Sequence, residues 1–339
     1  FMQEAAFKKW NLLLGWGVFG VSLIVYILTL EPTASFWDPG EYITTASNIV
    51  IGHPPGAPLY QMLGAFFSWF AMEPANIAYT INLMSAFASA FTIGFMFWSL
   101  TMLLVNVIGK EKLTDSGTSI AVLGSAAVGS LAFAFTDSFW FNAVETEVYA
   151  MATLIMSVLF YLALRWEREM NQPRGNRWLV LIAFVIGLSF GVHFMGLLTI
   201  PAIGLIYYFK NYKEITIKNF IIANVVSVAI LLFIFKLLAP NILRYFSAME
   251  IFFVNTIGLP FNSGSIIAGI ILVAVIYFGL KYTREKQYKH VNTAILCVTF
   301  VMVGFSSWMM LPIRANANVV INENDPSDAR ELLAYYNLE

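Results

Sequence analysis

Residues 56–72 read GAPLYQMLGAFFSWFAM. The run is apolar and nearly long enough to span a bilayer, and its reading decides the topology of all that follows. If it crosses, Lys110 and Lys112 move to the far side and every later loop inverts with them. If it stays on the surface, the basic loops collect on one side and the acidic loops on the other. The second arrangement is the cheaper one, because short loops rich in Lys and Arg are retained in the cytoplasm. Tyr60, Phe66, Phe67, Trp69 and Phe70 also suit a helix lying at the membrane–water boundary. Residues 41–72 are therefore expected to form short outer-surface helices that do not cross.

The rest of the chain supports a membrane reading. Of its 339 residues 59% are hydrophobic and 12% charged, where soluble domains carry roughly 25% charged residues. Apolar runs of about 20 residues recur, and only helices or closed barrels satisfy the backbone in lipid. The expected fold is an all-α polytopic membrane protein of about nine spans, near 11–30, 77–108, 118–140, 147–166, 178–192, 194–209, 217–239, 263–281 and 291–312. No repeat or linker interrupts it, so one domain is expected over 1–339. It comprises the first span, an outer loop at 31–75, the remaining spans through 312 and an outer tail at 313–339. The formal net charge is −1, with no basic surface for a nucleic acid. The single cysteine, Cys297, cannot form an internal disulfide. Lys8 and Lys9 precede the first run and no small-residue cleavage site follows it, which reads as a retained signal anchor. The final Leu338-Glu339 has the look of a vector-derived scar on a truncated chain.

Charge separates the loops. Lys8 and Lys9, Lys110 and Lys112, the cluster Arg165, Arg168, Arg174 and Arg177, then Lys210, Lys213 and Lys218, and finally Lys281, Arg284, Lys286 and Lys289 belong inside. Residues 31–56 hold Glu31, Asp38 and Glu41, and residues 137–147 hold Asp137, Glu145 and Glu147, with no Lys or Arg in either stretch. These belong outside.

The outer loops hold the candidate chemistry. In SFWDPGEY, residues 35–42, Asp38 is a natural helix cap, Pro39 a first helical residue and Glu41 the third residue of a capping box. The same geometry holds two carboxylates rigid at a helix start, where partial desolvation would raise the pKa of a general base. Phe36 and Trp37 would supply the apolar wall. His53-Pro54-Pro55-Gly56 reads as a rigid turn, since proline fixes the backbone and glycine lets it reverse. Glu145, Glu147 and Tyr149 open a span. They either favour the helix dipole or line a wet cavity, because acids facing lipid are costly. His193 sits between two short runs, as a structural side chain or one lining a cavity. Arg314 is either a snorkelling anchor or a fork for a phosphate. Asn322-Glu323-Asn324-Asp325-Pro326 reads as a surface turn without chemistry. No phosphate-binding glycine loop, HExxH, GxSxG or Asp-x-Asp pair occurs, so a serine triad or a zinc hydrolase is not expected.

FWDPGEYITTASNIVIGHPPGAPLYQMLG (36–64) and AVETEVYAMATLIMSVLFYLALRWE (143–167), joined by GLSFGVHFMGLL (187–198) and LPIRANAN…INENDPS (311–327), resemble a bacterial membrane family related to the protein O-mannosyltransferases. The resemblance runs over nearly the whole chain. It implies a GT-C class membrane glycosyltransferase, using a polyprenyl-phosphate sugar donor and an acceptor outside the cytoplasm. It also implies an essential acid just after the first span. Asp38 matches that acid by position. The related enzymes have adjacent Asp and Glu there, whereas Pro39 and Gly40 separate the two here, so Asp38 and Glu41 both stay open as the base. Arg314, His53 and His193 match donor-phosphate contacts by location. Glu145, Glu147, Tyr149 and Trp37 are expected to bind sugar hydroxyls or the acceptor.

The expected reaction is an inverting transfer to a Ser or Thr hydroxyl of a secreted protein, at the extracytoplasmic face of a bacterial inner membrane. The donor's lipid chain is expected in a groove between spans. No cofactor is expected, and a divalent metal stays open. The alternatives are a secondary transporter or flippase for a lipid-linked substrate, or a non-catalytic scaffold. A transporter would put ionisable groups at the midplane of inverted repeats, whereas these acids gather at span ends on one side.

Overall fold

A computed structural model describes residues 4–338; Glu339 of the expected scar lies outside them. The chain is an all-α polytopic membrane protein. Among the described residues, seven helices are long and apolar enough to cross a membrane: Glu4–Leu28, Pro74–Ile108, Ser116–Ala134, Val148–Glu169, Ile217–Thr256, Ser263–Glu285 and Lys289–Ala315. The only strand-like feature among the described residues is one isolated parallel bridge, Ile51 with Asn322. The chain divides into two compact units, Phe1–Ser47 with Leu63–Arg165, and Asn48–Met62 with Trp166–Glu339.

The first half of the chain forms α1 (Glu4–Leu28), α2 (Pro39–Asn48), α3 (Pro58–Ser68), α4 (Ile77–Ile108), α5 (Ser116–Ala134), α6 (Asp137–Ala143) and α7 (Val148–Glu169). Helices α2 and α3 have 10 and 11 residues. At 1.5 Å per residue they reach about 15 and 17 Å, roughly half of a 30 Å hydrocarbon core. Residues 56–72 therefore hold no crossing helix, in keeping with the charge argument.

In the first unit α1 packs on α4 and α5. Tyr26, Ala86, Ala90, Ile93, Phe97, Val122 and Ala126 belong to its core. Ser85, Ala86, Ala88, Ser89 and Ala90 are all buried on α4, and such small residues let helix backbones approach closely where lipid supplies no hydrophobic drive. The buried Tyr26 hydroxyl donates to the Ala134 carbonyl at 2.9 Å, tying α1 to the end of α5. The span expected over 118–140 stops at Ala134. Phe135 closes that helix by donating its N–H to Leu131 O at 3.2 Å. A new helix begins at Asp137, whose carboxylate suits a first turn.

The second half forms α8 (Asn176–Ser189), α9 (Ile200–Asn211), α10 (Ile217–Leu232), α11 (Ala239–Ile251), α12 (Ser263–Glu285), α13 (Lys289–Phe305), α14 (Met310–Ala315) and α15 (Ala329–Asn337). Helices α8 and α13 meet backbone to backbone. A Cβ on Gly187 would lie 2.2 Å from Val301 O, and one on Gly304 2.4 Å from Phe184 O. Only glycine permits that approach.

Two expectations change here. The spans expected at 178–192 and 194–209 are helices of 14 and 12 residues, joined by the 3-10 segment Phe194–Thr199. At about 21 and 18 Å neither reaches across a bilayer alone, so length gives seven crossing helices rather than nine. The stretch 240–262, which falls between the expected spans 217–239 and 263–281, stays helical through Thr256. Pro240 lacks an N–H, and its ring would strike the carbonyl four residues back. The helix absorbs this in a π-helical segment, Phe233–Leu238, and continues.

Candidate active site

The acidic candidates all belong to the first unit. Asn82, buried near the start of α4, uses its side-chain amide to hold two loops. Its Nδ2 donates to Glu31 O at 2.7 Å and to Thr33 O at 3.0 Å. Its Oδ1 accepts from the Thr146 hydroxyl. Glu31 N also donates to Val144 O at 3.0 Å. The Ser35 hydroxyl donates to Glu145 at 2.6 Å. Residues 31–35 and 144–146, more than 100 positions apart, are thus fastened together.

Glu145 is only 5% exposed. Burial raises its carboxyl pKa above the ordinary glutamate value; the Ser35 hydrogen bond opposes this and the Glu31 charge adds to it. Asp38 accepts Tyr42 N on its backbone carbonyl at 2.9 Å, and Pro39 begins α2, so Asp38 stands at the helix start. Burial first, then the charges of Glu147, Asp38 and Glu41 and the neighbouring Tyr149, push the Tyr42 hydroxyl well above the ordinary phenol range. Four of the expected site residues therefore gather around Tyr42, which keeps its proton and stays a hydrogen-bond donor.

Part of the expected surroundings is not there. Asp38 is exposed rather than partly buried. Phe36 and Trp37 are 90% and 93% exposed and build no wall. Trp37 also has a left-handed backbone, φ 73°, which costs a non-glycine residue about 1–2 kcal/mol. Asp137 is exposed at the start of α6. Of the acids expected in the site, Glu41 and Glu147 are half-buried, as is Glu31 beside them.

The basic candidates all belong to the second unit. His53 O accepts Gly56 N at 3.0 Å, closing the expected turn, and Gly56 reverses the chain at φ 71°. The buried Tyr335 hydroxyl donates to Gly52 O at 2.6 Å and approaches His53 O at 3.1 Å. A Cβ at Gly56 would lie 2.7 Å from that hydroxyl oxygen. Arg314 donates from Nε to Ile49 O at 2.6 Å and from NH2 to Asn48 O at 3.2 Å. Ile51 N donates to Ile321 O at 3.1 Å, and Glu323 N to Ile51 O at 3.2 Å. The tail, read as a surface turn, is a clasp on residues 48–56. Arg314 spends two of its five N–H groups on carbonyls, leaving NH1 and one proton of NH2 for an anion.

His193 caps the Phe194–Thr199 segment, its Nδ1 accepting from Met195 N at 3.2 Å. Burial lowers its pKa, so near neutral pH it is an uncharged imidazole. With Nδ1 accepting, its proton sits on Nε2. Just before it, Gly191 O takes Leu59 N at 2.8 Å and Tyr60 N at 3.1 Å, two of the N–H groups that a helix start leaves over.

The same unit holds an apolar cavity of about 810 Å³ between α11, α12, α13 and α15. Phe246, Ile270, Met302, Trp308 and Leu332 line it, and Asp328 lies at its edge.

The family model for the protein O-mannosyl-transferase TMEM260 N-terminal domain matches residues 38–216, just over half of the chain. The chain belongs to this family. A protein O-mannosyl-transferase TMEM260 from Mus musculus is 27% identical over 176 residues, covering 51% of this chain and 22% of that protein. The Dictyostelium discoideum protein of the same description is 25% identical over 148 residues, covering 43% of this chain and 16% of its own length. The matched stretch is thus less than a quarter of either relative. No solved structure matches. The match to the family begins at Asp38 and takes in Glu41, Tyr42, His53, Glu145, Glu147, Tyr149 and His193. It leaves out Arg314 and the clasp.

Proposed function

We propose that this chain is the membrane-embedded catalytic part of a GT-C type glycosyltransferase. It moves a sugar, mannose by the description of its relatives, from a polyprenyl-phosphate donor to a Ser or Thr hydroxyl of a secreted protein, at the extracytoplasmic face. The observation that carries this reading is the gathering of Asp38, Glu41, Glu147 and Tyr149 around Tyr42, on a segment the family model covers.

The step follows from the groups present. The acceptor oxygen attacks the sugar C1 from the face opposite the phosphate, so configuration inverts. Its proton passes to the carboxylate of Asp38 or Glu41, a contribution of about 10²–10⁴-fold for a placed base. Of the two, Glu41 is the half-buried one and Asp38 the one at the helix start. The C1–O bond breaks and its electron pair leaves with polyprenyl phosphate. Glu147, Glu145, Tyr149 and the exposed Trp37 bind sugar hydroxyls or the acceptor. Arg314, through NH1 and the remaining NH2 proton, and His53 meet the phosphate, with His193 contributing an uncharged N–H rather than a cation. The donor's lipid chain lies in the 810 Å³ apolar cavity, whose size suits a drug-sized or larger apolar ligand.

The test is the product. Full-length protein in liposomes is given polyprenyl-phosphate mannose and secreted-protein acceptors, and the linkage is read by mass spectrometry and NMR. A mannosyl-Ser/Thr bond of inverted configuration supports the reading. Retained configuration removes the single-displacement mechanism, and flux of the intact donor across the membrane with no product makes the protein a transporter.

A further inference from the structure

We propose that Asn82 is the positioning residue of the acidic site, fixing the spacing between the loop that carries Asp38 and Glu41 and the loop that carries Glu145 and Glu147. The role in transfer rests on the function proposed above; the mechanical part does not. Asn82 is 1% exposed and lies in a 32-residue helix that is otherwise strongly apolar. A buried asparagine there is unfavourable both as a helix former and as a desolvated polar group, unless its amide is used. Here both faces of it are used, by different loops. The Nδ2 donors go to Glu31 O and Thr33 O in the first loop. The Oδ1 acceptor takes Thr146 of the second.

The consequences run one residue further on each side. Thr146 stands between Glu145 and Glu147. Thr33 precedes Ser35, whose hydroxyl binds Glu145 at 2.6 Å, and the chain then enters Asp38. Asparagine is the side chain that fits. Aspartate keeps the acceptor for Thr146 and loses both donors. Leucine fills the space and leaves three polar partners unpaired, the buried Thr146 hydroxyl among them. Asn82 is not a catalytic residue, since it reaches the carboxylates only through the two loops.

The experiment uses full-length protein in detergent or liposomes and two variants, Asn82→Ala and Thr146→Val. Amide hydrogen exchange is followed over 31–35 and 144–147, and single-turnover transfer is normalised to folded protein. Asn82→Ala should speed exchange in both loops by at least about tenfold. It should lower kcat by about 10²-fold while the donor KM stays within about threefold, the signature of a misplaced reacting group. Thr146→Val keeps both Nδ2 bonds. It should speed exchange over 144–147 alone and lower kcat by about tenfold. A purely structural asparagine would lower the unfolding temperature and leave kcat per folded molecule unchanged, which overturns the proposal. Exchange that rises in only one loop of Asn82→Ala overturns it too. If Asn82→Ala does not fold, Thr146→Val decides by the same two readouts. If the wild type transfers nothing, the transferase reading fails, and the exchange data alone decide whether Asn82 joins the loops.

Discussion

The two halves of the first loop are held from different parts of the chain. Residues 31–47 are fixed from within the first unit by side chains: Asn82 on the Glu31 and Thr33 carbonyls and Glu145 on Ser35. Residues 48–56 are fixed in the second unit through their backbone, by Arg314, residues 321–323 and Tyr335. The acidic half depends on contacts up to about a third of the chain away, and the histidine half on contacts more than 260 positions away. In both halves most of the accepting groups are backbone carbonyls; Ser35, held through its hydroxyl, is the exception. A backbone held by remote groups tolerates changes in its own side chains but not the loss of its holders.

Substitutions can break that contrast, beginning with the largest. Tyr335→Ala removes a fully buried ring and its bond to Gly52, and should cost about 3–5 kcal/mol. Tyr335→Phe loses the hydrogen bond alone, at about 1–2 kcal/mol. Hydrogen exchange should localise both effects to residues 48–56 and leave 31–35 protected; loosening of both halves together would dissolve the comparison. Arg314→Ala should destabilise by about 1.5–3 kcal/mol, as expected for charge-assisted bonds to carbonyls, measured as the shift in thermal unfolding. Arg314→Lys should recover little, because an ammonium cannot fork between two carbonyls.

Glu145→Gln sharpens the comparison through pH. The folded state raises the Glu145 pKa from the ordinary 4.5. Its stabilising effect is complete below that value and is lost as pH rises through the folded pKa, where the buried group must ionise. The variant should therefore gain stability relative to wild type as pH rises from 4.5 upward, and the two should converge in acid. Scanning fluorimetry across pH reads the difference; a gap that widens toward acid would contradict the burial of this carboxyl. The smallest effect belongs to Trp37→Gly. At φ 73° glycine relieves a left-handed tryptophan, and stability should rise by up to about 1 kcal/mol against the entropy glycine loses on folding.

Much of this was readable in the sequence, because hydropathy, loop charge and helix-start chemistry are local. The surface helices at 39–48 and 58–68, the turn at His53–Gly56 and the acids at 38, 41, 145 and 147 all follow from neighbours within a few residues. Tyr42 lies inside SFWDPGEY with Asp38 and Glu41 within four residues of it, but Glu147 and Tyr149 reach it only through the fold. Asn82 carried a usable signal, a buried amide in a strongly apolar helix. The clasp carried none. Tyr335, Arg314 and Ile321 bind carbonyls, which every residue has, so no residue type at 48–52 marks the pairing. The span count shifted for another reason: the break at His193 is visible in the sequence, but the helix lengths of 14 and 12 residues on either side of it, too short to cross, are not.

The central claim is that the acids beside Tyr42 take the acceptor proton. The measurement that bears on it most directly is single-turnover transfer by Asp38→Asn and Glu41→Gln, each compared with wild type for unfolding temperature. The account expects one of the two to lose about 10²–10⁴-fold in rate while unfolding within a few degrees of wild type. Both variants transferring within about threefold of wild type would contradict it, since no other placed base is assigned in this account.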